Sequence, residues 1–432
     1  MKSMTFTAAG DAIFLKRTAP YEGYDEICDF INKAEAKIIN LETVLSEYDS
    51  FPNATSGGTW MNADPKVADD ITAMGFNFFG VANNHAMDFS YGGLESTCRA
   101  LKERGIAYSG TGCNLYEASR PAVLDFSTAR VGVISVCSSF DQNWKAGEQG
   151  PALKGRPGLN YLRFNTEYIV TAAQLESLKE IAAATNINIE ADIERRDGFL
   201  PPLEEGTFVL GKQKYRVGEN TGCITTCNKK DKKRLLDLIT DSRRYLDYVV
   251  VMVHSHEMGT SHTDPAMFYK EFAHDAIDAG ACAIIGGGCH QLRPVEIYNG
   301  KPIFYSLGNF VFQTNAVRLL PYDFTDKLGF PKDVTTAEAL ALRSDNGKRG
   351  LHSKIDNFLT VIPYIKMQDD EVTEIVLKPV ELGFDRPIAD NGLPHPAKGD
   401  TAKDIFNRLD RLSAPYGTKL TLDGDLIRIS LT

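Results

Sequence analysis

The chain has 432 residues, of which 43% are hydrophobic and 24% charged, a composition typical of a globular protein with a large core. Its formal net charge of −10 excludes the broad basic surface that nucleic acids and acidic membranes require. No stretch approaches the roughly 20 apolar residues of a membrane span, and residues 1–11 lack the apolar region of a signal peptide. We therefore expect a cytoplasmic protein without membrane insertion.

The first third of the chain alternates strand and helix patterns. Short apolar runs predict strands at MTFTAAG (4–10), AKIIN (36–40), NFFGVA (77–82) and VGVISV (131–136). Helical patterns lie between them at 24–36, 64–75 and 91–105. This alternation predicts an α/β fold with parallel strands flanked by helices.

The middle of the chain interrupts this pattern and the last part resumes it. Glycine- and proline-rich loops, a helix near 170–183 and a hairpin in GKQKYRVGENTG predict an insertion at about 141–222. Further elements are predicted beyond it, as helices at 231–245, 265–279 and 401–412, and strands at 247–253, 281–286, 302–306, 357–366, 372–379 and 425–430. We expect one domain over 1–432, with that insertion and a C-terminal extension at about 313–432.

Polar side chains follow five of the predicted strands. They are Asp11, Asn40 with Glu42, the run Asn83, Asn84, His85 and Asp88, the run His254, His256 and Glu257, and Cys289 with His290. The carboxyl ends of parallel strands meet at one edge of a sheet, where ligands commonly bind. Because carboxylate, amide and imidazole groups bind divalent cations in hydrolytic sites, this edge of one sheet is predicted to bind Mn²⁺, Fe²⁺ or Zn²⁺.

Each of these residues also has an ordinary structural interpretation. Asp11 could cap a helix, Asn83 and Asn84 could form a turn, and His290 could be a loop residue. The SHTDP stretch (261–265) with Glu257 could form a separate acid/base site, or else a loop that caps the next helix through Thr263 or Asp264, with Pro265 at the first helical position.

Longer motifs extend over most of the chain and suggest a family. They are GDAIF (10–14), NLET (40–43), VANNHAMDFSYGGL (81–94), YSGTGCN (108–114), GRPGLN (155–160), VVVMVHSHE (249–257) and HQLRPVEIYNGKPIFYSLGNFVF (290–312). With these motifs the chain resembles the bacterial capsule synthesis family named for CapA. That family is linked to poly-γ-glutamate biosynthesis and is related to calcineurin-like metallophosphoesterases. The resemblance implies a metallophosphoesterase-like four-layer α/β/β/α sandwich.

The resemblance also implies roles for individual residues around two divalent metal ions. Asp11 and His290 resemble ligands of the first metal, Glu42 resembles the bridging carboxylate, and Asn84 and His254 resemble ligands of the second metal. His85 resembles the general acid or substrate-contacting histidine, so His85 and Asn84 are the predicted catalytic residues. Asn83, Arg293 and Asn309 are candidate substrate contacts, although Asn309 could equally form a structural turn.

One position departs from the family pattern. Relatives often carry a histidine in the glycine run before His290, where this chain has Gly287. His254 and His256 are two residues apart, so an extended strand would direct both to the same face. His256 is therefore a candidate replacement ligand, with support of another ligand as the alternative.

The function that follows is metal-dependent hydrolysis of a phosphate ester or an amide. The substrate would be a small molecule or a polymer, with glutamyl-containing compounds and phosphate esters as the candidates. The alternative is a non-catalytic subunit that binds a polymer or a partner in polyglutamate synthesis. The sequence predicts no nucleic-acid partner, and it leaves the oligomeric state open.

Overall fold

Two β-sheets packed face to face form the centre of the molecule. The structure is a computed structural model that describes residues 2–431. The strands of the first half of the chain are β1 (Ser3–Ile13), β2 (Ala36–Leu41), β3 (Val44–Leu45), β4 (Asn62–Ala63), β5 (Phe78–Gly80), β6 (Ala107–Ser109), β7 (Thr111–Gly112), β8 (Ala122–Asp125), β9 (Arg130–Cys137), β10 (Gly158–Leu159), β11 (Phe164–Val170), β12 (Thr207–Leu210), β13 (Gln213–Val217) and β14 (Gly222–Cys227).

The strands of the second half are β15 (Tyr248–Ser255), β16 (Ala283–Gly288), β17 (Val295–Tyr298), β18 (Lys301–Phe304), β19 (Asn309–Phe312), β20 (Leu359–Gln368), β21 (Glu371–Glu381), β22 (His395–Pro396), β23 (Leu420–Asp423) and β24 (Leu426–Ile429). The α-helices are α1 (Tyr24–Ile31), α2 (Val67–Ala73), α3 (Ser90–Glu103), α4 (Leu115–Ser119), α5 (Ala172–Thr185), α6 (Ile189–Arg196), α7 (Lys229–Ser242), α8 (Met267–Asp278), α9 (Tyr322–Lys327), α10 (Thr336–Ser344) and α11 (Gly399–Ser413). No helix within residues 2–431 is both long enough and apolar enough to cross a membrane.

The first sheet has the order β23-β24-β21-β20-β1-β2-β5-β6, with β19 also paired to β1 and β22 to β21. Strand β1 is parallel to β2 and β19 and antiparallel to β20. The second sheet has the order β17-β18-β16-β15-β9-β8, in which β9, β15, β16 and β18 are parallel. The parallel strands whose carboxyl ends precede the predicted site residues belong to both sheets.

Strand β15 shows why the central strands are apolar at every position. Val250 and Met252 join the core between the two sheets, whereas Val249, Val251 and Val253 join the core beneath the helices α7 and α8. A strand covered on both faces buries both sets of its alternating side chains. Helices α1 and α2 cover the outer face of the first sheet in the same way. The fold is thus the four-layer α/β/β/α sandwich that the family resemblance implies, and this prediction is confirmed.

The strands that precede the predicted site residues belong to two sheets, and the expectation of a single sheet was wrong. β1, β2 and β5 lie in the first sheet, and β15 and β16 lie in the second. A continuous apolar run indicates burial on both faces, but it carries no information on which strands are neighbours.

The insertion forms a small sheet of its own. Its strands have the order β12-β13-β11-β14 and span Phe164–Cys227. Residues 141–163 precede this sheet, and Trp144 and Leu159 among them are buried with Ala82 and Met87 of the main body. The boundaries of the insertion stay a prediction.

The part of the chain beyond residue 312 contributes to the main body in two ways. The stretch 313–358, which we call the covering segment, contains α9 and α10 and places Phe324 and Ala339 against Trp60 and Phe89. Strands β20, β21, β23 and β24 then extend the first sheet from β1.

Candidate metal centre

The carboxyl ends of β1, β2, β15 and β16 converge, and β1 reaches this point with an irregular backbone. The pairing of β1 with β2 shifts register between Ala9 and Asp11, at Gly10. A Cβ atom at Gly10 would lie 1.8 Å from the carbonyl oxygen of Gly308, so only glycine allows this close approach. Bulges of this kind redirect side chains beside functional sites, and here the redirected side chain is Asp11.

Asp11 is completely buried, and both of its carboxylate oxygens accept hydrogen bonds. Asn40 Nδ2 donates to Oδ1 at 2.8 Å, and the backbone N–H of Gly288 donates to Oδ2 at 2.8 Å. Burial raises the pKa of Asp11, but hydrogen bonding and the charges of His254 and His290 outweigh it, so the pKa is lowered overall. Asp11 is therefore held as a carboxylate.

Glu42 is the least compensated group of the centre. It is completely buried, and neither of its carboxylate oxygens has a hydrogen-bond partner within the described residues. Burial, together with the charges of Asp11 and Asp88, raises the pKa of Glu42 well above its usual range. A buried carboxylate without a partner is costly. A cation bound there would remove that cost, so the residues present fit a metal site.

His254 and Asn84 present two ligand atoms toward Glu42. His254 Nε2 lies 2.8 Å from Asn84 Oδ1 and 3.7 Å from Glu42 Oε1. The other ring nitrogen of His254, Nδ1, lies 3.2 Å from Asn40 Nδ2. The contact with Asn40 orients the ring of His254, with Nε2 toward Asn84 and Glu42.

His256 lies just beyond β15 and approaches the same point. Its Nε2 atom is 3.3 Å from Nε2 of His254, and its ring centroid is 5.3 Å from that of His290. Burial, together with the charges of His254, His290 and His85, lowers the pKa of His256 well below its usual range. The imidazole is therefore neutral and has a lone pair available for a cation.

His290 is held at the opposite side, in an uncommon backbone conformation. Its φ of 61° lies in the left-handed region, which costs free energy for a residue with a side chain. Asn309 Oδ1 lies 2.8 Å from His290 Nδ1, and Asn309 Nδ2 donates to the carbonyl oxygen of Asn357 at 2.9 Å. Asn309 thus orients the imidazole of His290, and its predicted contact with a substrate stays a prediction.

The glycine run before His290 has no room for a side chain. A Cβ atom at Gly287 would lie 2.3 Å from Asp11 Oδ1. Gly288 has a φ of +104°, and a Cβ atom there would lie 2.8 Å from the backbone nitrogen of Ser255. A histidine at either position would therefore require the metal centre to be arranged differently.

The acidic and imidazole side chains form two overlapping groups, in each of which the ligand atoms lie within 4.8 Å of one another. We call Asp11, Glu42 and His290 the aspartate group, and Glu42, His254 and His256 the histidine group. Glu42 belongs to both groups. The arrangement suits two divalent cations that share one carboxylate, which is the role that the family resemblance implies for Glu42.

His85 stands beside these groups and is oriented by a carboxylate. Its Nδ1 atom lies 2.7 Å from Asp88 Oδ2, which also accepts a hydrogen bond from the backbone of Met61 at 2.7 Å. The other ring nitrogen, Nε2, lies 3.9 Å from Glu42 Oε1. Asp88 therefore fixes the imidazole with Nε2 directed toward the candidate metal site.

Two other predicted substrate contacts are also fully buried. Asn83 Nδ2 donates to the carbonyl oxygen of Leu41 at 2.7 Å, and Asn83 Oδ1 accepts from the backbone of His85 at 3.1 Å. Arg293 donates to the carbonyl oxygens of Ser255, Glu257 and His262 at 3.3, 2.8 and 3.0 Å. Both residues hold backbone beside the candidate metal ligands, which differs from the expected role, and their contact with a substrate stays a prediction.

Sequence reasoning did not select Asn40 and Asp88 as site residues. Asn40 links Asp11 to His254, and Asp88 orients His85. Both belong to the polar residues that follow strands. Asp88 lies three positions after His85, a spacing that could have suggested a contact within one turn.

Glu257 has a local role. Its carboxylate accepts hydrogen bonds from the hydroxyls of Ser138, Ser139 and Ser255, at distances of 2.6 to 2.9 Å. Asp264 accepts from Thr260 and Lys270, and α8 begins only at Met267. The SHTDP stretch is therefore a loop, and the expected helix start at Pro265 was two residues too early.

Comparison with known proteins gives a family match, and it gives relatives that align with nearly the whole chain. The family model described as "Bacterial capsule synthesis protein PGA_cap" matches residues 5–314. Uncharacterized protein y4sH of Sinorhizobium fredii is 32% identical over 431 residues, which cover 97% of this chain and 91% of that protein.

Two further similarities are less extensive. "PGA biosynthesis protein CapA" of Bacillus subtilis is 39% identical over 245 residues, which cover 57% of this chain and 45% of that protein. The solved structure of the NAD nucleotidase of Haemophilus influenzae aligns with 96% of this chain and 66% of its own chain, at 10% identity and a TM-score of 0.37. A structural similarity this distant carries no functional conclusion.

Proposed function

Because this chain belongs to the bacterial capsule synthesis protein family PGA_cap, we propose that it is a metal-dependent hydrolase with phosphoesterase-like chemistry. The family assignment made from the sequence motifs is confirmed by the match over residues 5–314. The observation that carries the proposed activity is Glu42, a fully buried carboxylate without a hydrogen-bond partner among the described residues, shared by two groups of metal-type ligands.

The two cations would be held by residues of both sheets. Asp11, Glu42 and His290 would hold the first, and Glu42, His254, His256 and Asn84 the second. Mn²⁺, Fe²⁺ and Zn²⁺ all suit such a donor set. Cations bound in pairs lower the pKa of water and neutralise the charge that develops on a phosphoryl or carbonyl oxygen during hydrolysis.

The protein's own residues would supply orientation and a proton. Asp88 accepts a hydrogen bond from Nδ1 of His85, which leaves Nε2 of His85 to give a proton to the leaving group. Asn83 and Arg293 hold the backbone that carries His85 and His256. Five of the six proposed ligands are almost fully buried and His256 is half-buried, so bulk water is largely excluded, which strengthens electrostatic interactions in the site.

The substrate that we propose is a glutamyl-containing polymer or a phosphate ester. The first follows from the names of family members, among them the PGA biosynthesis protein of Bacillus subtilis. The second follows from the resemblance of the ligand set to that of metallophosphoesterases. Both contain an electrophilic centre whose oxygens gain negative charge when water attacks.

The test is hydrolysis by the purified protein after addition of Mn²⁺, with bis(p-nitrophenyl) phosphate and a γ-glutamyl amide as substrates. We expect Asn84→Ala to reduce kcat by at least about 100-fold, because it removes a ligand on which a cation and His254 both depend. Asn165→Ala, which changes an exposed residue of β11, serves as the control. Full activity in Asn84→Ala would contradict the proposal.

The second candidate function is a non-catalytic subunit that binds a polymer or a partner. It is motivated by Gly287, which stands where relatives often carry a histidine. Metal analysis after purification without chelator separates the two candidates. About two cations per chain would support the hydrolase, and fewer than one would support the binding subunit.

A further inference from the structure

The covering segment, residues 313–358, contacts both sides of the metal centre. On one side, the carbonyl oxygen of Asn357 accepts a hydrogen bond from Asn309, which orients His290. On the other side, Arg343 at the end of α10 donates a hydrogen bond to Thr59. The family model ends at residue 314, so almost all of this segment lies outside the part that defines the family.

Arg343 differs from most arginines of the main body in having no acidic partner. Arg17, Arg163 and Arg408 form ion pairs with Asp70, Asp231 and Asp356. Within the described residues, the polar contact of the Arg343 guanidinium is the hydroxyl of Thr59, and the ring centroid of Phe324 lies 5.5 Å from it. An arginine carries five N–H donors, so most of the donors of Arg343 are available to a ligand.

Arg343 is exposed but partly desolvated by the protein around it. Its side chain is exposed to solvent, yet the protein atoms around it lower its pKa by desolvation, and no nearby carboxylate opposes that effect. A cation that is partly desolvated without an anion binds carboxylate or phosphate groups more strongly than a fully hydrated surface lysine does.

The loop beneath Arg343 connects it to the metal centre. A Cβ atom at Gly57 would lie 2.3 Å from Asn84 Nδ2, and a Cβ atom at Gly58 would lie 4.0 Å from Arg343 Nη2. Gly57 and Gly58 are adjacent, and consecutive Cα atoms are roughly 3.8 Å apart. The guanidinium of Arg343 and the side chain of Asn84 therefore lie beside adjacent residues of one loop.

We propose that Arg343 binds a second anionic group of the substrate, a carboxylate or a phosphate, located next to the group that reacts at the metal centre. This inference rests on the proposed function, because it assumes that the metal centre binds the reacting group. It makes the substrate a compound with at least two anionic groups and makes Arg343 a determinant of specificity.

The experiment compares two anions on the Mn²⁺-loaded protein by equilibrium dialysis, with the free and bound ligand quantified by mass spectrometry. Inorganic phosphate offers one compact anion, and tri-γ-glutamate offers several carboxylates along a chain. The variants are Arg343→Met and Arg343→Lys, with Lys332→Met as a control that removes an exposed cation of the same segment. Bound manganese and the melting temperature are measured for each.

We expect Arg343→Met to weaken the binding of tri-γ-glutamate about tenfold, because it removes a charged hydrogen-bond donor to a carboxylate of the peptide. Phosphate binding and manganese content should stay within twofold of the unaltered protein, and Arg343→Lys should retain part of the peptide affinity. Unchanged peptide binding in Arg343→Met, or an equal loss of both anions, would overturn the inference alone. Failure of the unaltered protein to bind either anion would overturn the proposed function as well.

Discussion

The aspartate group and the histidine group share Glu42, yet they are supported differently. In the aspartate group, Asp11 accepts two hydrogen bonds and His290 is oriented by Asn309. In the histidine group, His254 is oriented by Asn40, but the ring of His256 has only Nε2 of His254 as a hydrogen-bond partner among the described residues. Two imidazole nitrogens 3.3 Å apart can share one proton or one cation.

The side chains of the aspartate group are thus held in place by the protein itself, whereas the position of His256 in the histidine group depends on a bound ion. Outer hydrogen bonds that orient metal ligands typically change metal affinity 10- to 100-fold. We therefore expect the aspartate group to bind its cation more tightly, and we expect His256 to become ordered on binding. Three changes to the protein or its conditions test this difference.

The largest effect should come from Gly287→Ala, which acts on the aspartate group. The added Cβ atom would lie 2.3 Å from Asp11 Oδ1 and displace the carboxylate. We expect loss of one of two bound cations and a decrease of at least about 100-fold in hydrolysis, measured by metal analysis and by kcat. Gly222→Ala is the matched control, because nothing lies within 4 Å of its added Cβ atom. Retention of both cations by Gly287→Ala would contradict the assignment of Asp11.

A smaller effect is expected for His256→Ala, which acts on the histidine group. It should weaken binding of one cation by about 10- to 100-fold and leave the tighter one unchanged, because Asp11 and His290 keep their support. Titration calorimetry with Mn²⁺ measures both sites. His262→Ala, an exposed residue of the same loop, serves as control. If His256→Ala leaves both affinities unchanged, His256 does not replace the imidazole that relatives carry in the glycine run.

The smallest effect concerns Glu42 in the metal-free protein. Because its pKa is raised by burial, the folded state keeps a proton that the unfolded chain releases near pH 4.5. This contribution to the free energy of unfolding is therefore largest below pH 4.5 and decreases as the pH rises toward the folded-state pKa. Urea denaturation in the presence of chelator, at pH 5 and pH 8, measures it as the difference between the unaltered protein and Glu42→Gln. A difference that is independent of pH would show that Glu42 is not the uncompensated charge.

Much of the fold could be predicted because the apolar pattern of each central strand indicates the strand and its burial. The run at 249–253 is apolar at every position, as burial on both faces requires, and the structure has a strand there. The partition into two sheets could not be predicted, since strand neighbours depend on pairing between distant parts of the chain. Helix α10 was also missed, because it is a short helix with only Ala339 buried.

The ligands of the candidate site could be selected for a chemical reason. Carboxylate, amide and imidazole groups at strand ends have few structural uses in common, so their joint occurrence at Asp11, Glu42 and His254 was informative. The roles of Asn309 and Arg293 could not be predicted, since they follow from the carbonyl and imidazole groups that the fold places beside them. The sequence also could not predict that Gly287 has no space for a side chain, because the bulge in β1 places Asp11 against it.

Strand β20 lies outside the region that the family model matches, yet it belongs to the central sheet. The family model ends at residue 314, but β20 is hydrogen-bonded to β1 from Ser3 opposite Gln368 to Thr7 opposite Tyr364. A fragment shortened to the matched region would keep β19 beside residues 11–13 of β1 but leave residues 3–7 as an open edge, ready to pair with another chain. Strand β1, which carries Asp11, thus depends for the cover of this edge on residues that lie outside the matched region.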